Sequence, residues 1–132
     1  MSWPELADGE VQITDLAEQL RRQINPRFLG EDGRTITSEV FKPRSKMVST
    51  TKDSIISREE AHSRYPNETV GSCFVTVSEI ESLGLRAIDD SCADDVPYGH
   101  AYIDLRIFGR SAIDKKAKQL KKIAMENGIW RP

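Results

Sequence analysis

The segment His100–Leu105 alternates polar and apolar residues strictly, and this pattern constrains the fold more than any other part of the chain. Successive side chains of a β-strand point to opposite faces, so Ala101, Ile103 and Leu105 are predicted to face a core. A strand with one buried face needs neighbouring strands and a covering layer. A sheet packed by helices is therefore the centre of the predicted fold.

Helical patterns are found on both sides of this segment. Leu16, Leu20 and Ile24 recur every four residues after the capping residue Thr14, which predicts a helix over about 14–25. A second long helix is predicted over about 112–127, with Gly128 as its stop. Shorter helices are expected near 58–65 and 79–83, where a hydroxyl residue precedes a Glu at the capping-box spacing.

Strands are predicted near residues 35–41, 47–51, 73–77, 85–88 and 100–105. Because there is no regular strand–helix rhythm, we expect an α+β fold: a small mixed or antiparallel sheet of about 4–5 strands packed by the two long helices. The strands at 73–77 and 100–105 are placed in the sheet interior. A chain of 132 residues suits a single globular domain over 1–132, with termini that are either mobile or engaged in contacts.

Composition excludes several classes of protein. The net charge of -2, with 30% charged residues, argues against disorder and against wholesale coating of nucleic acid. No apolar run is long enough to cross a membrane and no signal peptide is recognisable, so a cytoplasmic location without a membrane partner is expected. With two Cys and two His at no metal-binding spacing, no metal site is predicted.

Cations are concentrated between residues 21 and 52. Within this stretch, Arg44 and Lys46 lie beside hydroxyl residues, and Thr50 and Thr51 follow shortly after. Hydroxyls next to Arg and Lys are suitable donors to a phosphate or a carboxylate. We therefore predict an anion-binding surface that includes these four residues.

A loop of opposite charge is predicted at 89–95, which is rich in aspartate. Trp130 follows the last helix, and Trp is enriched at the energetic centres of interfaces. No catalytic motif of demanding spacing is present. These features favour a small interaction or accessory protein that binds a partner protein, or a second copy of itself, through a charged interface, with Trp130 as an anchor and no cofactor.

An enzyme is the first alternative. The order of Arg22, then Ser49-Thr50-Thr51, then Glu79-Ile80-Glu81 resembles the Arg, Ser-Thr-Ser, Glu-x-Glu order of ADP-ribosyltransferases. This resemblance implies a nucleotide- or NAD-using enzyme. Arg22 would contact the NAD phosphates, Ser49 would brace the nicotinamide pocket, and Glu81 would promote glycosidic cleavage.

One further acid–base group is available to such an enzyme. His100, Tyr102 and Asp104 are predicted to project from one strand face. Together they could supply an acid, a base and an orienting carboxylate, with His100 as the leading candidate. The simpler interpretation is that this is the solvent face of the strand.

Nucleic-acid binding is the second alternative. The last helix is rich in lysine, which suits a phosphate backbone. Aromatic residues for base stacking are not interleaved with these lysines.

Overall fold

The computed structural model describes residues 2–132, which form an α+β fold with six strands and three α-helices. Only α3 is long, so the predicted class is confirmed, but the predicted count of strands and of long helices is wrong. The strands are β1 Val11–Gln12, β2 Gln19–Ile24, β3 Met47–Lys52, β4 Gly71–Thr76, β5 Arg86–Asp89 and β6 His100–Asp104. The helices are α1 Arg58–Ser63, α2 Val77–Ser82 and α3 Arg110–Asn127, with 3₁₀ helices at Pro26–Phe28 and Ser38–Phe41.

The six strands form one antiparallel sheet in the order β1-β5-β6-β3-β2-β4. β6 lies in the interior, as predicted, but β4 lies at an edge. The C-terminal segment covers that edge: the backbone groups of Ser72 and Trp130 exchange hydrogen bonds of 2.9 and 2.8 Å. Gly71 permits this approach, because a Cβ at that position would collide with the carbonyl of Trp130.

The predicted helix over 14–25 is wrong, since its second half is strand β2. A separation of four residues is even, so it also places Leu20 and Ile24 on one face of a strand. Both side chains are fully buried, whereas Leu16 is 52% exposed. The predicted strand over 35–41 is wrong as well, because Ser38–Phe41 forms a 3₁₀ helix.

One face of the sheet, the core face, packs against α2, α3 and the 3₁₀ helix Ser38–Phe41. α3 contributes an apolar stripe to this layer, in agreement with the sequence pattern, and β4 and β6 contribute Val75 and Ile103. The buried residues of α3 are Ile113, Ala117, Leu120 and Ala124.

The opposite face of the sheet, the polar face, is not simply a solvent face. Tyr102 and Asp104 lie on it and are only 3% and 0% exposed. The N-terminal segment covers them: the Tyr102 hydroxyl donates to Glu10 at 2.9 Å, and Arg86 donates to the Pro4 carbonyl at 2.9 Å. The N-terminal segment, as far as the structure describes it, does not cover β2 and β3, so other elements surround that part of the polar face.

Replacing Leu120 by Ala is expected to lower the free energy of unfolding by about 2–5 kcal/mol, because it opens a cavity under α3. Leu120 is fully buried in the core, while its neighbour Gln119 is exposed. Chemical denaturation of Leu120→Ala and of the control Gln119→Ala measures the difference. A loss below about 0.5 kcal/mol for Leu120→Ala would contradict the packing of α3 on the sheet.

Candidate functional site

A pocket of about 400 Å³ opens on the polar face, over β2 and β3. Its walls come from α1 and from the 3₁₀ helix Pro26–Phe28, while Pro97 and His100 close one side. This volume lies within the range of small-ligand sites. Four arginines line it: Arg21, Arg22, Arg27 and Arg64.

The pocket lies where β2 and β3 separate. These strands pair only at Leu20–Lys52 and Arg21–Thr51, whereas β2 pairs with β4 along its whole length. Arg22 spans the resulting gap: its Nε donates to the Val40 carbonyl at 3.0 Å and its Nη1 to the Ser49 carbonyl at 3.1 Å. A guanidinium group, instead of a strand ladder, therefore joins β2 to β3 at this point.

Arg22 is a partly buried cation without a carboxylate partner among residues 2–132. Burial lowers the pKa of its guanidinium, because the charged form has lost hydration. Arg21 differs, since its Nε and Nη2 each donate to the Asp53 carboxylate at 2.9 Å. Arg21 is thus neutralised within the fold, while Arg22 retains its attraction for an anion.

Arg27 and Arg64 place two further cations around the pocket. The guanidinium carbon of Arg27 lies 5.1 Å from the centre of the Phe28 ring, and Nη2 of Arg64 donates to the Tyr98 carbonyl at 2.9 Å. Among residues 2–132, neither arginine forms a salt bridge. Glu68 is the only acidic residue that the described part of the chain contributes to the lining, so positive charge is in excess.

Hydrogen-bonding capacity is also unused in this pocket. Gln23 and Thr51 both line it, and the amide nitrogen and oxygen of Gln23 and the hydroxyl of Thr51 are buried without a partner among residues 2–132. A buried polar atom without a partner costs about 1–3 kcal/mol. The pocket therefore offers hydrogen-bonding groups whose pairing would be favourable.

His100 adds a group that can exchange protons. Its Nδ1 lies 2.6 Å from Oδ1 of Asp90, and it stands opposite Thr51 in the β3–β6 register. A carboxylate on Nδ1 orients the ring and leaves Nε2 for a ligand. This pair can act as an oriented acid or base at the edge of the pocket.

Several of the predicted site residues are brought together here. Arg22, Ser49, Thr50, Thr51 and His100 all line the pocket. They come from β2, β3 and β6, which are neighbours in the sheet. Thr50 is the least available of them, because it is buried and its hydroxyl donates to the Ala101 carbonyl at 2.9 Å.

Other predicted site residues lie elsewhere. Glu81 is exposed on α2, outside the pocket, so the three-residue arrangement of an ADP-ribosyltransferase is not assembled around it. Arg44 is exposed in a turn, and Lys46 donates to the Phe108 carbonyl at 3.2 Å. Neither lines the pocket.

Trp130 is used within the fold. Besides its bridge to Ser72, its ring lies edge-on to His62 at 5.8 Å and under the guanidinium of Arg58 at 5.5 Å. Its side of the molecule is therefore tied to α1 and β4. An interface anchored on Trp130 would have to form around these contacts.

The two charged regions predicted from the sequence meet at one point. Lys52, at the end of the cationic stretch, forms an ion pair of 2.6 Å with Asp89 at the start of the acidic loop. Opposite charges that lie side by side partly cancel at a distance. This contact weakens the argument for a strongly polarised molecule.

Three of the five lysines of α3 line a separate groove of about 570 Å³. Lys118, Lys121 and Lys122 contribute to it, with Ser38, Met125 and the acidic Glu126. Within the described residues, no aromatic side chain lines this groove. Nucleic-acid binding by α3 therefore stays a prediction that rests on charge alone.

Sequence reasoning missed Gln23 and Arg64 as site residues. Gln23 fell within the predicted helix, where a glutamine on a polar face carries no signal. Arg64 is the C-terminal cap of α1. It reaches the pocket only because α1 packs against β2 and β4 in the folded chain. Polar residues at 21, 23 and 25 beside Leu20 and Ile24 fit a strand with a polar face, although Arg22 interrupts the alternation.

Comparison with known proteins gives no family for this chain. No protein-family model, no curated protein and no solved structure matches it. Among residues 2–132, no helix is long and apolar enough to cross a membrane. The same residues contain no cluster of His, Cys, Asp and Glu side chains that could hold a metal ion.

Proposed function

We propose that the protein binds a small anionic ligand, one that carries a phosphate or a carboxylate, in the arginine-lined pocket. The observation that supports this most is the convergence of Arg22, Arg27 and Arg64 on one concavity, none of them paired with a carboxylate among residues 2–132. The planar guanidinium group forms paired, charge-assisted hydrogen bonds to both kinds of anion.

The apolar part of the lining supports the same function. Phe28, Tyr65 and Pro97 line the pocket beside the arginines. Apolar walls exclude water from one side of an ion pair, which strengthens the attraction between the charges. A ligand with one anionic group and one ring or hydrocarbon part would use both kinds of lining.

Calorimetric titration with inorganic phosphate and with ribose 5-phosphate tests this proposal. We expect a dissociation constant of about 1 mM or tighter for ribose 5-phosphate, weakening as salt screens the arginines. Arg27→Ala and Arg64→Ala should each weaken binding by about 10-fold, since each removes a charge-assisted hydrogen bond. The control Arg110→Ala removes an exposed arginine outside the pocket and should change nothing. Absence of binding at about 10 mM of either anion would overturn the proposal.

Docking of an acidic segment from a partner protein is a second candidate function. Tyr65 and Tyr98 are 49% and 70% exposed, and both lie beside the pocket arginines. Exposed tyrosines next to arginines are typical of protein interfaces. Surface plasmon resonance with a hexaglutamate peptide at several salt concentrations tests this function. Binding that falls with salt and requires Tyr98 supports docking, and peptide binding no weaker in Tyr98→Ala excludes it.

A further inference from the structure

We infer that the ligand of this pocket is an adenine nucleotide, with the Gln23 carboxamide hydrogen-bonded to the edge of the base and the arginines holding the phosphate. This inference rests on the proposed anion-binding function and specifies its ligand. It starts from an imbalance on the polar face: Gln23 lines the pocket, yet neither polar atom of its amide has a partner among residues 2–132.

The neighbours of Gln23 on the polar face are already engaged. Ser72 lies opposite Gln23 in the β2–β4 register, and its hydroxyl accepts a hydrogen bond of 3.0 Å from Arg21. The Nε and Nη2 groups of Arg21 donate to the Asp53 carboxylate. The side chains that flank Gln23 thus hydrogen-bond to one another and leave the amide out, which is unfavourable unless another molecule completes the set.

A carboxamide presents a donor and an acceptor side by side, so its complement is a planar group with an adjacent acceptor and donor. Adenine offers this arrangement at N7 and its 6-amino group, the edge to which Gln and Asn bind in pairs of hydrogen bonds. A phosphate or carboxylate alone offers acceptors only and would leave the Gln23 oxygen unpaired. The unpaired acceptor and donor of Gln23 therefore indicate a ring edge in addition to the anion.

The pocket also provides surfaces for a flat ring. The Phe28 ring lies near two guanidinium groups, with the Cζ atoms of Arg22 and Arg27 at 5.9 and 5.1 Å from its centre. Aromatic rings and arginine planes are the usual stacking partners of nucleobases. Thr51, whose hydroxyl is unpartnered, supplies a second hydrogen-bonding group beside the same site.

Comparing ligands on the wild-type protein tests the inference without any substitution. Adenosine 5′-monophosphate should bind about 10-fold or more tightly than ribose 5-phosphate, because only the former carries the base. Purine riboside 5′-monophosphate lacks the 6-amino group and should lose most of this preference. Equal affinity for all three would overturn the inference and leave the anion site intact, whereas binding of none would overturn the proposed function itself.

Gln23→Met tests the role of the amide, since methionine is similar in length but has no donor. The preference for adenosine 5′-monophosphate over ribose 5-phosphate should vanish, because the affinity for adenosine 5′-monophosphate falls further than that for ribose 5-phosphate. The midpoint of denaturant unfolding should stay the same or rise, because an unpaired buried amide has been removed. A retained preference, or a preference in the wild type for the guanine, cytosine or uracil nucleotide, would overturn the assignment. So would a fall in stability without loss of the preference, which would make Gln23 structural.

Discussion

Asp104→Asn is expected to lower the free energy of unfolding by about 3–5 kcal/mol, the largest effect on stability that we predict for a single substitution. Asp104 is fully buried on the polar face. Its carboxylate accepts hydrogen bonds from Arg86 Nε at 2.9 Å and from Arg106 Nε at 2.9 Å, Arg106 Nη2 at 3.0 Å and the Arg106 backbone at 3.0 Å. The neutral asparagine side chain would leave the guanidinium groups of Arg86 and Arg106, which are buried or half-buried, without a negative charge between them.

The same carboxylate makes stability depend on pH. Burial alone raises the pKa of Asp104, but the hydrogen bonds from Arg106 and Arg86 outweigh it and hold the pKa below the ordinary value. A carboxyl with a depressed pKa in the folded state stabilises the fold fully above its unfolded pKa of about 3.9. That contribution is lost as the pH falls through the lower, folded pKa.

Urea denaturation at a series of pH values measures both effects. The control is Asp94→Asn, which makes the same substitution at an exposed aspartate of the acidic loop. Between about pH 5 and pH 2, the wild type should lose more stability than Asp104→Asn, which has lost this contribution already. Parallel pH profiles for the wild type and Asp104→Asn would contradict the role assigned to Asp104. So would a loss of unfolding free energy below about 1 kcal/mol for Asp104→Asn at neutral pH.

Arg22→Ala is expected to weaken ribose 5-phosphate binding by about 10–100-fold, which corresponds to the loss of a hydrogen bond to a charged group. Arg22 carries the largest effect because it is partly buried and its guanidinium, among residues 2–132, hydrogen-bonds only to the carbonyls of Val40 and Ser49. An ion pair in such a place is screened less than one with an exposed arginine.

A conservative variant separates charge from geometry at this position. Arg22→Lys keeps the positive charge but lacks the planar fork, so it should bind with an affinity between those of the wild type and Arg22→Ala. Denaturation curves are needed for both variants, because the carbonyls of Val40 and Ser49 lose a donor. An affinity of folded Arg22→Ala equal to that of Arg110→Ala would exclude Arg22 from the site.

Local patterns in the sequence predicted the elements whose apolar residues lie on one face. Strict alternation found β6, and the apolar stripe found α3, because each pattern follows from the geometry of a single element. β2 was mistaken for a helix, since the spacing of Leu20 and Ile24 fits both periods. The polar face was mistaken for a solvent face, because its cover by Pro4 and Glu10 comes from residues far away in the chain.

The candidate site shows the same boundary between local and long-range information. Arg22 was selected for its place in the ADP-ribosyltransferase-like order and Thr51 as a hydroxyl near Arg and Lys, and the structure places both at the pocket. Their relation to Gln23 and Arg64 depends on the separation of β2 from β3 and on where α1 crosses the sheet. Neither the separation of the strands nor the position of α1 can be predicted from a short stretch of sequence.

A titration of the ¹⁵N-labelled protein with ribose 5-phosphate, followed by ¹H–¹⁵N correlation NMR, tests the anion-binding pocket most directly. An anion in the pocket should shift the amide signals of the non-proline residues within 21–28, 49–51 and 61–69, which line or flank the pocket. The Nε–H signals of Arg22, Arg27 and Arg64 should move with the same apparent dissociation constant. Changes confined to the lysines of α3, or no change at about 10 mM ligand, would contradict this prediction.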